Sequence, residues 1–443
     1  MAMFARRSLQ RLLDDLKETL SPAACVKLAH ELNRQNTSAL GFEWELALLF
    51  ALSRVGSIAY EAESHPGPRR PDIIFAEKDG PIRFVADVTM VSDAGLEEEN
   101  PVMRFSQSLH RLKRKYRLPG SLNYHVAAVT DGPTYHNRKT RLKLPKLSEL
   151  DTFLSDHVGP EFQRIADEKR TSASIKVDEP GVEFSVTYDE TQRHGGGGYP
   201  AYTAAQSRTR NPVYTALKAK TSQLKKSGAT DPRGIFLCDG GCALLSKTGR
   251  QHMQVSLDEV IAEFFRQNSS VAFVVVLVFP PSRVETFTGI VKELRITGQL
   301  YSNPRATNAL PDRALIELIN RGLAQLPQPA ATPRDALHWI GRAADHEGQT
   351  YNTVHYSGGF MTESIKLSAR QIQEVLAGRT TAQELFSQFD SPGRPFRNPF
   401  EAALRQGLTI ESVNLTKLAD ADDDLLEIRF GLADPAISKL RAG

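Results

Sequence analysis

Apolar and polar positions along the chain repeat with a helical period in some stretches and alternate in others, which marks out the elements. Residues 5–36 carry the helical pattern twice, broken at Ser21-Pro22, where proline suits a first helical turn. SALGFEWELALLFALSRVG is apolar nearly all round and stops at Gly56, which predicts a helix buried on most of its surface. Three strands are expected next: SIAYEAE, then PDIIFAE after the loop HPGPRRP, then IRFVADVTMV across the Asp79-Gly80 turn. A helix from about Pro101 to Arg117 and a strand LNYHVAAVT, ending near Asp131-Gly132, complete the order helix, three strands, helix, strand.

From about 133 the pattern loosens into a basic loop, a helix near LSELDTFLSDHV and a hairpin, ASIKVDEPGVEFSVTYDE. QRHGGGGYPAYTAAQSRTRNP reads as a mobile connector, because adjacent glycines have little to order them. HGGGG lacks the flanking strand and the Lys-Ser/Thr of a phosphate-binding loop. NPVYTALKAKTSQLKKSG, RGIFLCDGG, LDEVIAEFFRQ and VAFVVVLVFPP alternate helix and strand and are expected to extend the same sheet. Beyond about 285 the chain reads as mostly helical, with a Pro/Ala-rich linker near 326–335 and a tail of strands and short helices from about 350. The expected organisation is a helical segment over 1–37, an α/β domain over 38–284 with an insertion at about 133–210, and an α-rich or α+β region over 285–443.

At 443 residues the chain can bury more than one core. Its three cysteines are too few for a disulfide framework and favour a reducing, cytoplasmic setting. Asp14, Asp15 and Glu18 argue against an import presequence, and no apolar run is long enough to span a bilayer, so no membrane partner is expected. The formal net charge of +3 says little about partners, because charge is distributed unevenly. Cations crowd between Pro101 and Lys146, where Asp131 is the sole acid. Asp420, Asp422, Asp423, Asp424 and Glu427 form an acidic run that reads as a solvated face.

The chemistry concentrates in the hairpin RRPDIIFAEKDGPIRFVADVTM. With Asp79-Gly80 as a two-residue loop, Asp72 falls opposite Asp87 on one face, with Thr89 two residues along. Opposed carboxylates about 4.5 to 5.5 Å apart at Cβ repel, and a divalent cation is one remedy. Arg69 or Arg70 pairing with them is another, as is Asp72 simply closing the loop after Pro71. Glu43 and Glu45 sit in the apolar GFEWELALLF, where a buried acid needs a purpose. Being two apart they face different directions, and the other of the two suits a helix start.

These residues resemble the PD-(D/E)xK, or restriction-endonuclease-like, nucleases. Pro71-Asp72 matches the Pro-Asp of the signature, Asp87-Val88-Thr89 stands where acid-x-lysine belongs, and the elements from about 38 to 130 follow an αβββαβ order. Trp44-Glu45, with Gly56 eleven residues on, is similar to the helix phrase of many members, which favours Glu45 over Glu43. The resemblance implies a mixed sheet between helices and a metal-dependent DNA endonuclease of restriction or anti-phage defence. It implies that Asp72, Asp87 and the Val88 carbonyl hold Mg2+ or Mn2+, completed by Glu45. Thr89 replaces the lysine; a hydroxyl can orient water or touch a phosphate but brings no positive charge. Lys78, Arg83, Lys113, Lys218 and Lys220 are the candidate substitutes, and His110 and His125 are candidate bases.

The partner implied is nucleic acid, double-stranded DNA first, gripped by Arg111, Lys113, Arg114 and Lys115 on the basic helix RFSQSLHRLKRKYR. A homodimer would serve to cut both strands. An inactive nuclease-fold protein that binds nucleic acid, or an interaction scaffold with structural acids, are the alternatives.

Overall fold

A computed structural model describes residues 3–34, 38–61, 70–132, 138–192, 194–246, 254–280, 284–286, 289–291, 294–336, 364–379, 381–382, 398–405, 407–418 and 422–432. Arg69, Asp420 and the start of the tail near 350 lie outside these residues. The protein is a mixed α/β chain, and it divides into two compact units, Leu48–Gln325 and the pair of segments Met1–Ala47 and Leu326–Gly443.

In chain order the N-terminal elements are α1 (Arg6–Leu16), α2 (Pro22–Leu32) and α3 (Ser38–Ser53), followed by β1 (Gly56–Tyr60), β2 (Ile73–Glu77) and β3 (Arg83–Val91). There follow α4 (Ala94–Glu99), α5 (Val102–Lys115), β4 (Ser121–Val126), β5 (Ala128–Asp131), β6 (Lys139–Leu142), α6 (Leu150–His157), α7 (Gly159–Asp167), β7 (Ser172–Glu179), β8 (Val182–Asp189) and β9 (Gly196–Gly198). The next group is α8 (Pro212–Lys226), β10 (Arg233–Asp239), α9 (Ala243–Ser246), α10 (Leu257–Gln267), β11 (Phe273–Val278), β12 (Val284–Thr286), β13 (Gly289–Val291), β14 (Thr297–Ser302) and α11 (Asp312–Leu323). The last are β15 (Ser364–Ser368), α12 (Ala369–Leu376), α13 (Pro399–Arg405), β16 (Leu408–Thr416) and β17 (Leu425–Leu432).

The unit Leu48–Gln325 is built on a six-stranded sheet in the order β1-β2-β3-β10-β11-β14. β1, β2 and β3 run antiparallel, β3, β10 and β11 run parallel, and β14 returns antiparallel to β11. On one face, Val91, Ile235, Leu237, Val274 and Val276 pack beneath α8 and α10. The opposite face gathers Phe75, Phe84, Phe236 and Phe273 into one ring cluster. α11 packs along β14, and its Gly322 meets the backbone of α3, where an added Cβ would stand 2.4 Å from the Ala51 carbonyl oxygen.

The fourth strand of this sheet differs from expectation. β4, expected to close the αβββαβ series, pairs instead with β8 and β9, and the partner of β3 is β10. The reason lies in the side chains. Phe236, Leu237 and Cys238 of β10 are wholly buried, as a central parallel strand requires. In β4, Asn123 and His125 remain accessible between apolar neighbours, which suits a sheet covered on one side. The crossover helix is accordingly α8, not α5. β14 and α11, expected in a separate C-terminal region, complete the large sheet.

The insertion therefore starts directly after β3, at α4, and not near 133. It has its own four-stranded sheet, β7-β8-β4-β9, and its own core around Phe105, Leu109, Phe162, Val186 and Tyr188. The glycine run is part of that sheet, since β9 pairs parallel with β4. An added Cβ on Gly195 would lie 2.0 Å from the Leu122 carbonyl oxygen, and one on Gly197 would lie 2.1 Å from the Tyr124 ring. Glycine is required there for close approach, not for mobility.

In the other unit, Met3 and Phe4 are fully buried, and the Met3 carbonyl accepts the Ala330 and Ala331 N–H groups. A sheet of order β15-β17-β16 contributes Ile365, Leu367 and Ile428 to a small core against which Ile372 and Phe400 pack. The acidic run is structural: Asp424 pairs with Arg7 at 2.7 Å, and Asp422 accepts the Arg6 N–H. Asp423 accepts bonds from Ser368 and from the Arg370 N–H in the first turn of α12. Among the described residues no helix is long and apolar enough to cross a membrane.

Candidate functional site at the β2–β3 hairpin

The turn sets the register. Asp79 takes a left-handed φ of 60°, which aspartate tolerates, and Glu77 N–H donates to the Ile82 carbonyl at 2.8 Å. Ile73 then faces Ala86 and Phe75 faces Phe84, so Asp72 lies opposite Asp87, as the spacing predicts. Asp87 is registered with Ile235 and Thr89 with Leu237, residues that pack beneath α8, so both acids belong to the α8 face.

Asp87 is 1 % exposed. Its Oδ1 accepts the backbone N–H of Asp72 at 3.1 Å. Asp72 Oδ2 accepts the Val88 N–H at 2.8 Å, and the Lys220 ammonium lies 3.0 Å from the same oxygen. The Asp72 and Lys220 side chains retain only 20 % and 18 % exposure, so this pair is largely withdrawn from water. Backbone N–H donors and the Lys220 ammonium together offset the charge of the acids. Glu61, at the end of β1, adds a strained feature: its φ is 42°, and its N–H points to the Asp72 carbonyl at 3.4 Å.

Lys220 comes from α8, whose Val213, Leu217, Thr221 and Leu224 are buried against the sheet. Asn211 caps the helix by accepting the Tyr214 N–H at 2.8 Å. Lys220 lies one turn from Leu217 and Leu224, at the border of the buried face, and its long stem carries the charge to Asp72.

Thr89 is half-buried, Val88 is buried within β3, and Glu45 is half-buried on α3. Glu43, expected to serve the helix start, is buried and accepts the Phe4 N–H at 3.1 Å, so it holds the N-terminal segment. Burial pushes its carboxyl up to about 7. Among the described residues no three His, Cys, Asp or Glu side chains are grouped as a metal site; the convergence described is that of Asp72 and Asp87.

The basic helix is less available than its sequence implies. Arg104 and Arg111 both pair with Asp151, at 2.6 and 3.2 Å, and Lys113 donates to the Gly120 carbonyl. Arg114 and Lys115 are exposed, with the Lys115 ammonium 5.4 Å from the Tyr116 ring centre. His110 and His125 belong to the insertion, on α5 and β4; burial, then Lys113 and Arg114, hold His110 below the usual histidine range.

Lys78, at the hairpin turn, and Arg83, at the start of β3, are exposed, as is Lys218 on α8. Of the cations named as lysine substitutes, Lys220 is the one bonded to the acid pair. Composition alone did not single it out, because its role depends on α8 crossing the β2–β3 hairpin. No protein-family model, curated protein or solved structure matches the chain.

Proposed function

We propose that the chain is a metal-dependent DNA endonuclease on a restriction-endonuclease-like core, α3-β1-β2-β3-α8-β10, interrupted by the insertion. One observation carries the reading: Asp72 and Asp87 meet across β2 and β3, and Lys220 from α8 brings to them the charge that Thr89 lacks. Mg2+ is commonly held by one or two carboxylates with waters and substrate phosphates, so an opposed acid pair fits its needs without a full protein cage. Asp72 and Asp87 would hold it, with the Val88 carbonyl as the further ligand the motif implies. When bound, such an ion lowers the pKa of a water and offsets charge building on the phosphoryl group.

Lys220 stands beside Asp72, where its ammonium steadies the non-bridging oxygens of a phosphodiester. The Thr89 hydroxyl, on the same strand face as Asp87, orients water. No covalent intermediate is required.

Nicking of supercoiled plasmid in Mg2+ and in Mn2+ tests this. Cutting is expected from the wild type, and Asp87→Asn and Lys220→Ala should each reduce it by about 100-fold or more. Intact plasmid with the wild type, or equal cutting by Asp87→Asn, sinks the reading. A second reading, an inactive nuclease-fold protein that binds DNA, draws support from the same ion pair, because Lys220 already satisfies Asp72 without a metal. It predicts DNA binding without cutting in either metal.

A further inference from the structure

The large sheet is covered unevenly on the face that carries Asp72 and Asp87. α8 lies over β3 and β10, whose central residues are buried on both faces. β1 and β2 alternate instead. Ile58, Ile73 and Phe75 are buried on the far face, whereas Ser57 is exposed and Ala59, Ile74 and Ala76 are half-buried on the near one. Such alternation marks strands with one face turned to solvent. The acid pair thus stands at the border between a covered and an accessible half of the sheet.

The polar groups along that border are donors. α8 returns from the carboxyl end of β3 to the start of β10, so positions beyond Lys220 lie progressively nearer the start of β3. Gln223, three residues after Lys220, shares its flank of the helix about 4.5 Å further along the axis. It is half-buried, and its amide makes no hydrogen bond among the described residues. On the sheet, Arg83 shares the face of Asp87 by alternation, four residues and about 13 Å away along β3. Arg83 is exposed and stands opposite Ala76.

Among the described residues neither Arg83 nor Lys78 at the turn forms an ion pair, with Asp79 and Asp231 close in the register included. Glu77 belongs to the far face, where Arg321 of α11 lies 3.6 Å from it. Arg83 is too distant from the acids to stand in for the motif lysine, so its charge is available to another phosphate.

An ammonium, an amide and a guanidinium leading away from two acids, beside short side chains, suit one strand of a nucleic acid. Its backbone is positioned by donors spaced along it. Four residues of β3 match about four nucleotides at about 3.4 Å each. We infer that the strand to be cut lies along β2 and β3 over Ile74 and Ala76, with Gln223 bonded to a phosphate beside the scissile one and Arg83 to a phosphate about four nucleotides away. This rests on the nuclease reading for its substrate, a DNA duplex.

The test is binding of a fluorescein-labelled DNA duplex to the full chain in EDTA, measured by anisotropy from about 50 to 200 mM KCl. Arg83→Ala should weaken binding about tenfold and make the log–log salt slope shallower by about 0.9, as loss of one phosphate contact requires. Gln223→Ala should weaken it by about the same factor with the slope unchanged, because an uncharged donor releases no counterion. Ala76→Lys adds a cation beside the strand and should tighten binding and steepen the slope, which no loss of folding imitates. Lys226→Ala, at an exposed position in the last turn of α8, is the control and should leave affinity and slope as they are.

Wild-type slopes in both Arg83→Ala and Ala76→Lys overturn the inference, even if the wild type nicks plasmid. So does a slope that falls as far in Lys226→Ala as in Arg83→Ala. Failure of the wild type to bind the duplex at about 50 mM KCl overturns it outright. The expected slopes without any nicking sustain it while the reading as a nuclease fails.

Discussion

Lys220 neutralises Asp72, one acid of a nearly buried pair whose other member, Asp87, accepts the Asp72 main-chain N–H. Removing one partner of a buried ion pair leaves the other charge uncompensated. Lys220→Ala is therefore expected to cost about 2–3 kcal/mol, below the fully buried range because both side chains keep some exposure. A divalent cation bound by the two carboxylates would take over that role. Mn2+ should accordingly raise the melting temperature of Lys220→Ala by more than that of the wild type, read by thermal denaturation; equal shifts argue against a metal at the pair. Glu43 gives a prediction of opposite character. Its carboxyl is raised in the fold to about 7 from an ordinary 4.5. The protonated form is favoured by folding, so its contribution is fully present below about pH 4.5 and is lost as pH rises through about 7. The loss is on the order of 3 kcal/mol. Urea unfolding at about pH 5 and about pH 8 should show it, and Glu43→Gln should remove most of the difference.

The hairpin was the most legible element, because Asp79-Gly80 fixes a register and that register alone places Asp72 against Asp87. The crossover was not legible. α5 and α8 both read as helices after β3, and β4 and β10 both read as strands, so local periodicity could not rank them. The distinguishing signal was composition within the strand: GIFLC, at the centre of β10, is a continuous apolar run, whereas SLNYHV admits Asn123 and His125. The glycine run misled for a related reason. Without the partner strand, glycines read as slack, yet here they let β9 approach Leu122 and Tyr124. Gly197→Val should clash with the Tyr124 ring and destabilise the insertion by about 1–3 kcal/mol, the usual cost of overpacking. Hydrogen exchange should report the loss in β4, β8 and β9 while the strands β10 and β11 remain protected.

At the scale of the whole molecule, net charge proved a poor guide because so many charges are spent internally. Arg104 and Arg111 serve Asp151, Arg7 serves Asp424, and the acidic run caps α12 where its sequence suggested a solvated face. Such pairings join residues distant in sequence, which no window along the chain can reveal. The bond between Lys220 and Asp72 is the extreme case near the acids, spanning 148 residues. It has a consequence for biosynthesis. While a ribosome is still translating the insertion, the hairpin acids have emerged without their counter-charge. Only once α8 has cleared the exit tunnel can the cluster close. Every nascent chain that stops short of α8 lacks a complete centre, so whatever chemistry the acids perform is withheld until that helix has been made.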